Sequence, residues 1–460
     1  MYRLLIPREI WLQLDSHLRR ATPNEDGAFL LVRSGRGATG TRLIAHELLL
    51  PAKDAWEARG HHRLRPSGQW LSAVIGAAIE TDSGVAFVHS HPDDAHPPEL
   101  SPLDKKTSTE WSRSLTPTLG RPFLSLVWTT AGVRGWVFEA DDPLEHRDVH
   151  KVEVLGGGRS VLLSPIDELS SDRELDDRQV RALGELGNRR IRDLSVAVVG
   201  AGGTGSPLAE QLARMGVREL LVVDPDRIDT SSNLRRIVGS RPQDLLKQSP
   251  KVEVVARHLS ELGFGGVVSA CGLDVRSEDA ARRLLDADLV ISTTDTHSSR
   301  SLVNQLAHQY LLPVIDVGVK VGTSLEGRVT GMPTEIRVLL PDTACLWCSG
   351  VLDAVRIRAE NLPDDERRQQ AREGYVQGVG EPQASLTALN YFASSLALLT
   401  MMRLLSGEAI ISARTIADGW EHYFADVTCE IDPECICHAW RGMGDEKQVA
   451  YLPAPADSSG

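Results

Sequence analysis

The chain has 460 residues, enough for two or three domains with a sizeable core in each. Hydrophobic residues at 42% and charged residues at 25% exclude a collagen, a coiled-coil rod and a wholly disordered chain. Fifty Lys and Arg against 63 Asp and Glu leave a net charge of −13, which disfavours nucleic acid or an anionic membrane as a general partner.

The N-terminal segment MYRLLIPREIWLQLDSHLRR carries charge in every turn and has no signal-peptide core, so the expected location is cytoplasmic. A first domain is expected over 1–161. Within it, Ile6 to Leu18 reads as a helix with Pro7 in its first turn and Ile10, Leu14 and Leu18 on one face. Ala28–Val32 and Arg42–Leu50 read as strands, Trp70–Ile79 as a helix, and Gly84–Val88 as a short buried strand running into His89. Leu124–Trp128 and Val133–Phe138 read as two more strands. Residues 164–177 (SPIDELSSDRELDD) are acidic and poor in apolar side chains, the pattern of a solvated linker.

A second domain is expected over 178–441. Ser195–Val199 reads as a strand, followed by a glycine turn, a helix over Ser206–Met215 and a strand over Glu219–Val223. Asp288–Ser292 is a later strand followed by another helix. Alternating strands and helices predict a parallel sheet covered by helices. Leu386–Leu405 is the most apolar stretch, but Asn390, Ser394, Ser395 and Arg403 interrupt it. It reads as a buried helix at an interface rather than a membrane span. Residues 442–460 read as a flexible tail.

His89-Ser90-His91-Pro92 follows the strand at Gly84–Val88. Side chains two apart on a strand share a face, so both imidazoles can meet one metal. Ser101-Pro102-Leu103-Asp104 then brings a carboxylate. Two His, one Asp and a water are the ligand set of a catalytic zinc. Glu25, before the strand AFLLV, is the candidate base, with Asp26 and Glu47 as neighbouring acids, and Ser101 can donate to an oxyanion. His96 reads as a solvated loop residue. The set of an early Glu, HSHP and SPLD resembles the JAMM (JAB/MPN) metallopeptidases, over about residues 1–160. That resemblance implies an α/β domain of JAB/MPN type that cleaves peptide or isopeptide bonds at ubiquitin-like tails. It implies His89, His91 and Asp104 as zinc ligands, Ser101 as oxyanion partner and Glu25 as general base. The stretch between His91 and Ser101, residues 92–100, is two residues longer than the usual family spacing.

Gly200-Ala201-Gly202-Gly203-Thr204-Gly205-Ser206 follows one strand and opens a helix, the arrangement that cradles phosphates at a helix N-terminus. Asp224 ends the next strand, where a carboxylate suits a ribose. Beyond it lie Asn233, Arg235, Arg236, Lys251 and Asp295, a richer set of cations and acids than a nicotinamide pyrophosphate needs. Over about residues 175–440 the chain resembles the ThiF/MoeB/ubiquitin-activating superfamily. The resemblance implies a Rossmann-like, mostly parallel-sheet adenylyltransferase domain that uses ATP and Mg2+ to activate the C-terminal carboxylate of a carrier protein. Position by position it implies Gly200, Gly202, Gly203 and Gly205 as the nucleotide loop, and Asp224 as the ribose ligand. It also implies Asn233, Arg236 and Lys251 as phosphate contacts and Asp295 as the magnesium-linked acid. Arg178 matches an arginine that reaches the nucleotide of an opposing subunit, which implies a homodimer. Arg235 stands where the family usually has a second Asn.

The six cysteines are too sparse for a disulfide framework, and four of them form two tight pairs. Cys345, Cys348, Cys435 and Cys437 supply four thiolates for a structural zinc, and Cys429 is a possible substitute ligand. Ser349–Thr428 contains no cysteine, so no obligatory thioester is expected, with Cys429 as the alternative nucleophile. Together the two halves imply a bifunctional enzyme of a prokaryotic-type ubiquitin-like pathway. Its partner would be a ubiquitin-like or sulfur-carrier protein with a C-terminal glycine, and a conjugating enzyme can follow. The alternatives are a sulfur-carrier activator for cofactor or natural-product synthesis, an adenylyltransferase acting on a short peptide, and an adenylyltransferase whose N-terminal half only docks the carrier.

Overall fold

The computed structural model describes residues 1–460 except 22, 62, 93–95, 165–172, 265, 325, 373–383, 408, 411 and 453–460. The chain divides into two compact units, Met1–Asp167 with Gly442–Gln448, and Glu168–Arg441 with Val449–Gly460.

The first unit runs β1 (Tyr2–Pro7), α1 (Arg8–Arg20), β2 (Gly27–Arg36), β3 (Thr41–Leu49), β4 (Trp56–Gly60), β5 (Arg63–Pro66), α2 (Gly68–Glu80), β6 (Gly84–Ser90) and α3 (Pro102–Leu119). It continues with β7 (Phe123–Thr129), β8 (Gly132–Glu139), β9 (Asp142–Gly156) and β10 (Arg159–Leu162). The main sheet has the order β1-β3-β2-β6-β7-β8-β9-β10, and β1 also pairs with β9 in parallel, which closes it into a barrel. Strand alternation divides the core. Ala28, Leu30, Val32, Ala86 and Val88 face α1 with Leu14 and Leu18. Phe29, Leu31, Val85 and Phe87 face α2 and α3 with Val74, Ala78 and Leu115.

Two expectations change here. The segment before Arg8 is a fully buried strand rather than the start of a helix. Pro7 holds extended geometry (φ −55°, ψ 140°) and the helix begins after it. Helix α3 was not anticipated because its buried positions are Ser108, Ser112, Leu115 and Thr116, three of them hydroxyls that leave no apolar period.

The second unit runs α4 (Arg173–Arg192), β11 (Ser195–Val199), α5 (Gly205–Arg214), β12 (Glu219–Val223), α6 (Asn233–Arg236), α7 (Pro242–Leu246), α8 (Lys251–Leu262) and β13 (Val267–Cys271). Then come α9 (Glu278–Leu284), β14 (Leu289–Ser292), α10 (His297–Gln309), β15 (Val314–Val319), β16 (Gly322–Thr323), β17 (Val329–Gly331) and β18 (Pro333–Leu339). The unit ends with α11 (Ala354–Glu360), α12 (Asp364–Arg372), α13 (Thr387–Leu405), β19 (Arg414–Asp418), β20 (Tyr423–Asp426) and α14 (Ile436–Trp440). Its sheet order is β13-β12-β11-β14-β15-β18-β19-β20. The first five strands are parallel and the last three antiparallel. The order reverses direction at β11, between β12 and β14, and such switch points open a crevice at the carboxyl ends of the strands.

The anticipated linker is shorter than 164–177. Residues 165–172 lie outside the described ones, and from Arg173 the chain is helical. The helix is held by Asp176, buried against Arg192 at 2.8 Å and Asn188 at 3.2 Å. Gly184, at φ +73°, kinks it. The anticipated tail is ordered through Leu452. Asp445 accepts from the Arg36 amide at 2.8 Å in the first unit, and Val449 is buried in the core of the second. Helix α13 is half-buried rather than buried. It packs on α5, β15 and β18 through Ala393, Ala397 and Met401, while Tyr391, Phe392 and Leu399 are exposed. By length and composition it is also apolar enough to cross a membrane.

Candidate functional sites

Strand β6 carries Phe87, His89 and, just past its end, His91 on the face toward α3. Antiparallel pairing sets Gly27 of β2 opposite His89, so Glu25 comes level with His91. Ser101 caps α3. Its hydroxyl accepts from the Asp104 amide at 3.2 Å, and its own amide donates to Asp104 Oδ2 at 2.8 Å. This capping box fixes Asp104 in the first turn. His89 Nε2 lies 3.2 Å from Asp104 Oδ1, and His91 Nε2 lies 3.5 Å from Oδ2. One ligand atom from each residue falls within 4.8 Å of the others. Neither nitrogen of the buried His89 ring makes a well-formed hydrogen bond, although Nε2 faces the Asp104 carboxylate. A buried imidazole without a well-formed hydrogen bond, beside a carboxylate and a second imidazole, suits a cation. Burial raises the Asp104 pKa, but its close contacts with the two histidines and the His89 charge outweigh it and hold the carboxyl below its usual range. Glu25, 8% exposed, and Ser101 line the same cavity of about 610 Å³.

Sequence reasoning missed the framework behind Glu25. The Glu25 amide donates to the Gly60 carbonyl at 3.0 Å, and Arg59 Nε donates to the Glu25 carbonyl at 3.3 Å. Arg59 also binds the buried Asp26 carboxylate at 2.6 Å. Asp26 therefore faces away from the cavity as a structural acid, and Glu47 lies on β3 outside the lining. His96 is exposed. The loop residues 93–95 lie outside the described ones.

In the second unit the glycine turn joins β11 to α5. Gly200 has φ +98°, and a side chain there would meet Thr293 Oγ1 at 2.7 Å. A Cβ on Gly205 would lie 1.7 Å from the Gly200 carbonyl oxygen. Asp224 is buried at the end of β12 and accepts from the Ala201 amide at 2.7 Å and the Asp226 amide at 2.8 Å. Burial pushes its carboxyl above the ordinary value, partly offset by the Lys251 charge. Lys251 opens α8 and pairs with Asp226 at 2.7 Å. Asn233 is buried, donates to Asp229 at 2.9 Å and accepts from Arg236 Nη2 at 2.9 Å. Arg236 Nε is buried with no hydrogen-bond partner. The loop after α6 is tied back to the turn, because the Val238 amide donates to Ser206 Oγ at 3.1 Å. Thr293 reaches the Gly200 carbonyl at 3.1 Å, and Asp295, two residues on, is exposed. Arg178 and Arg235 are exposed as well. Sequence reasoning missed Thr293 and the brace from α13, where Ser394 donates to the Thr204 carbonyl at 2.8 Å.

Residues 176–437 match the ThiF family along this unit. The chain belongs to the ThiF family. The sulfur carrier protein ThiS adenylyltransferase of Bacillus subtilis (strain 168) is 27% identical over 175 residues, 38% of this chain and 48% of the relative. Ubiquitin-like modifier-activating enzyme 5 of Oryza sativa subsp. japonica is 34% identical over 173 residues, 35% and 38% of the two chains. The match of this ThiF-family chain thus spans under half the length of either relative. The solved structure of E. coli MccB with ATP aligns at TM-score 0.46 and 18% identity, over 58% of this chain and 75% of the other.

The ThiF unit also gathers the four cysteines. Cys345 Sγ lies 3.6 Å from both Cys348 Sγ and Cys435 Sγ, and Cys348 Sγ lies 3.9 Å from Cys437 Sγ. The four sulfurs fall within 4.8 Å of one another, a donor set that fits a closed tetrahedral zinc. A hydrogen bond from Cys437 lowers the Cys345 thiol to about 5, while Cys437 itself is pushed up by that contact and by burial. Burial raises Cys435 to about 11. Cys429 is half-buried and stands outside this cluster.

Proposed function

We propose that the ThiF unit activates the C-terminal carboxylate of a ubiquitin-like or sulfur-carrier protein as an acyl adenylate. A carrier carboxylate oxygen attacks the α-phosphorus of ATP. The bond to the bridging oxygen breaks, and pyrophosphate leaves with the electron pair. The carboxylate is already ionised at neutral pH, so no proton moves. Catalysis is then positioning plus charge stabilisation. The amides of Gly202, Gly203 and Gly205 face the phosphates, and Asp224 releases its backbone partners to hold the ribose. Arg236, with its unsatisfied Nε, and Lys251 take the phosphate charge. Asp295 would hold Mg2+, which would supply further neutralisation of the polyphosphate. The observation that carries this reading is the glycine turn, with Asp224 locked to it and Arg236 and Lys251 beside it, in a chain of the ThiF family. Arg178 is exposed on its own chain, as an arginine serving a second copy would be, and a homodimer follows from this reading. Trapping the acyl adenylate with hydroxylamine tests it: ATP and carrier together should give the carrier hydroxamate, and its absence with every glycine-terminated carrier rejects the reading.

We infer for the first unit a hydrolase of JAMM type acting on peptide or isopeptide bonds at the same class of tail. His89, His91 and Asp104 would hold zinc, which when bound polarises a carbonyl and acidifies water. Glu25 takes the proton of the attacking water and delivers it to the departing amine. Ser101 Oγ accepts from the Asp104 amide, which leaves its own hydrogen for the developing oxyanion. His89→Ala should abolish cleavage of a carrier fusion and leave adenylation intact. Zinc below half an equivalent on this unit would favour a docking role instead.

A further inference from the structure

The cavity of the first unit is larger than its polar groups require. Its mouth holds Glu25, Ser101 and the three candidate ligands. From there it runs inward along two elements at once. On β6 the inward face steps from His91 to His89 to Phe87, and on α3 the same-face positions step from Asp104 to Ser108 to Trp111. The inner end is therefore aromatic. Phe87 and Trp111 meet edge to face at 5.1 Å, and the His89 ring stacks on Phe87 at 5.5 Å. Leu64 of β5 lines the cavity too. Ser125, paired in register with Phe87, is small enough to leave the space open.

A pocket of about 610 Å³ lies in the range that encloses a ligand of drug size. A glycine on each side of the cut bond has no side chain and would leave the aromatic end filled with water. Apolar walls that adjoin reactive polar groups gain from burying apolar surface at the moment of binding. We propose that this inner end is a specificity pocket for a large apolar side chain, leucine or phenylalanine in class, on a residue adjoining the bond that is cut. The inference rests on the hydrolase reading of the mouth and names its substrate class.

The test uses the full-length chain. Peptides acetyl-Ala-X-Gly-Ala-amide and acetyl-Ala-Gly-X-Ala-amide, with X as Gly, Asp, Leu or Phe, are incubated with zinc-supplemented protein and followed by mass spectrometry. The same peptides are titrated calorimetrically into the zinc-supplemented Glu25→Gln protein, with and without Thr107→Phe. In one of the two series Leu or Phe should exceed Gly and Asp by at least about tenfold in kcat/KM, and should bind measurably tighter. Thr107→Phe, on the cavity side of α3 between Asp104 and Trp111, should bring both ratios toward one. Cleavage with equal efficiency for Gly and Leu, and equal binding, overturns the pocket and leaves the hydrolase standing. Selective binding lost in Thr107→Phe, with no cleavage of any peptide, upholds the pocket and overturns the hydrolase. Neither cleavage nor selective binding overturns both.

Discussion

The Ser90 hydroxyl accepts a hydrogen bond from the Asp26 amide at 3.0 Å, and the Ser90 amide donates to the Asp26 carbonyl at 2.9 Å. Ser90 stands between His89 and His91, and Asp26 follows Glu25. The bond therefore ties the candidate ligands to the candidate base. Ser90→Ala should cost about 1–2 kcal/mol, because it leaves a buried amide without its acceptor. Cleavage of a carrier fusion should fall while bound zinc stays at the parental level. Denaturant melts, metal analysis and cleavage rates on one preparation check this, and parental cleavage would remove the tie from the site.

Two glycines of one turn should differ in what substitution does to stability. A Cβ at Gly202 meets nothing within 4 Å, so Gly202→Ala should keep Tm within about 1–2 °C of the parent and still slow adenylation by crowding the phosphates. A Cβ at Gly205 meets the Gly200 carbonyl at 1.7 Å, so Gly205→Ala should lower Tm by several degrees and abolish activity. Thermal melts beside adenylation rates separate the two. A large Tm loss in Gly202→Ala would contradict the assignment of that position to nucleotide contact.

Two parallel strands of the second unit, Ser195–Val199 and Glu219–Val223, are legible in the sequence to the residue and β14 to within one, whereas β13 and β15 were not anticipated. Strands covered on both faces read as unbroken apolar runs. The glycine turn and HSHP are legible because each sits in a short stretch with a fixed spacing. Other features are not, for physical reasons. Strand β1 hides because Ile6 continues the spacing of Ile10 and Leu14 across Pro7. Strand β9 hides because its first half is exposed and charged. The pairing of Asp26 with Arg59, and of Phe87 with Trp111, joins residues far apart in the chain, which no local spacing records.

Metal content should report two independent sites. The full chain loaded with zinc is expected to hold two equivalents, and Cys348→Ser and His89→Ala one each. Only Cys348→Ser should lower Tm substantially, by more than about 5 °C, since a four-thiolate site stabilises the fold around it. Equal Tm loss in both variants would contradict the division into a structural and an open site.

Acid stability offers a fourth check. Burial, aided by the Arg33 charge, lowers His46 to about 4, and its Nε2 lies 2.8 Å from Ser83 Oγ. The unfolded chain binds this proton near 6.5, so between about 6.5 and 4 the unfolded state holds more protons than the folded one. The contribution of neutral His46 is present above that window and is lost as pH falls through it. His46→Gln should therefore lose less stability than the parent between pH 7.5 and 5, by on the order of 1 kcal/mol. Denaturant melts at the two pH values give the difference, and identical slopes would contradict it.

Adenylation itself is measured most directly by exchange of labelled pyrophosphate into ATP, with and without carriers that end in glycine. The expected result is exchange that needs both a carrier and magnesium, and that falls at least a hundredfold in Asp295→Ala. Absence of exchange with every such carrier, or an Asp295→Ala variant that exchanges at the parental rate, would contradict the assignment of the glycine-turn site to carboxylate activation.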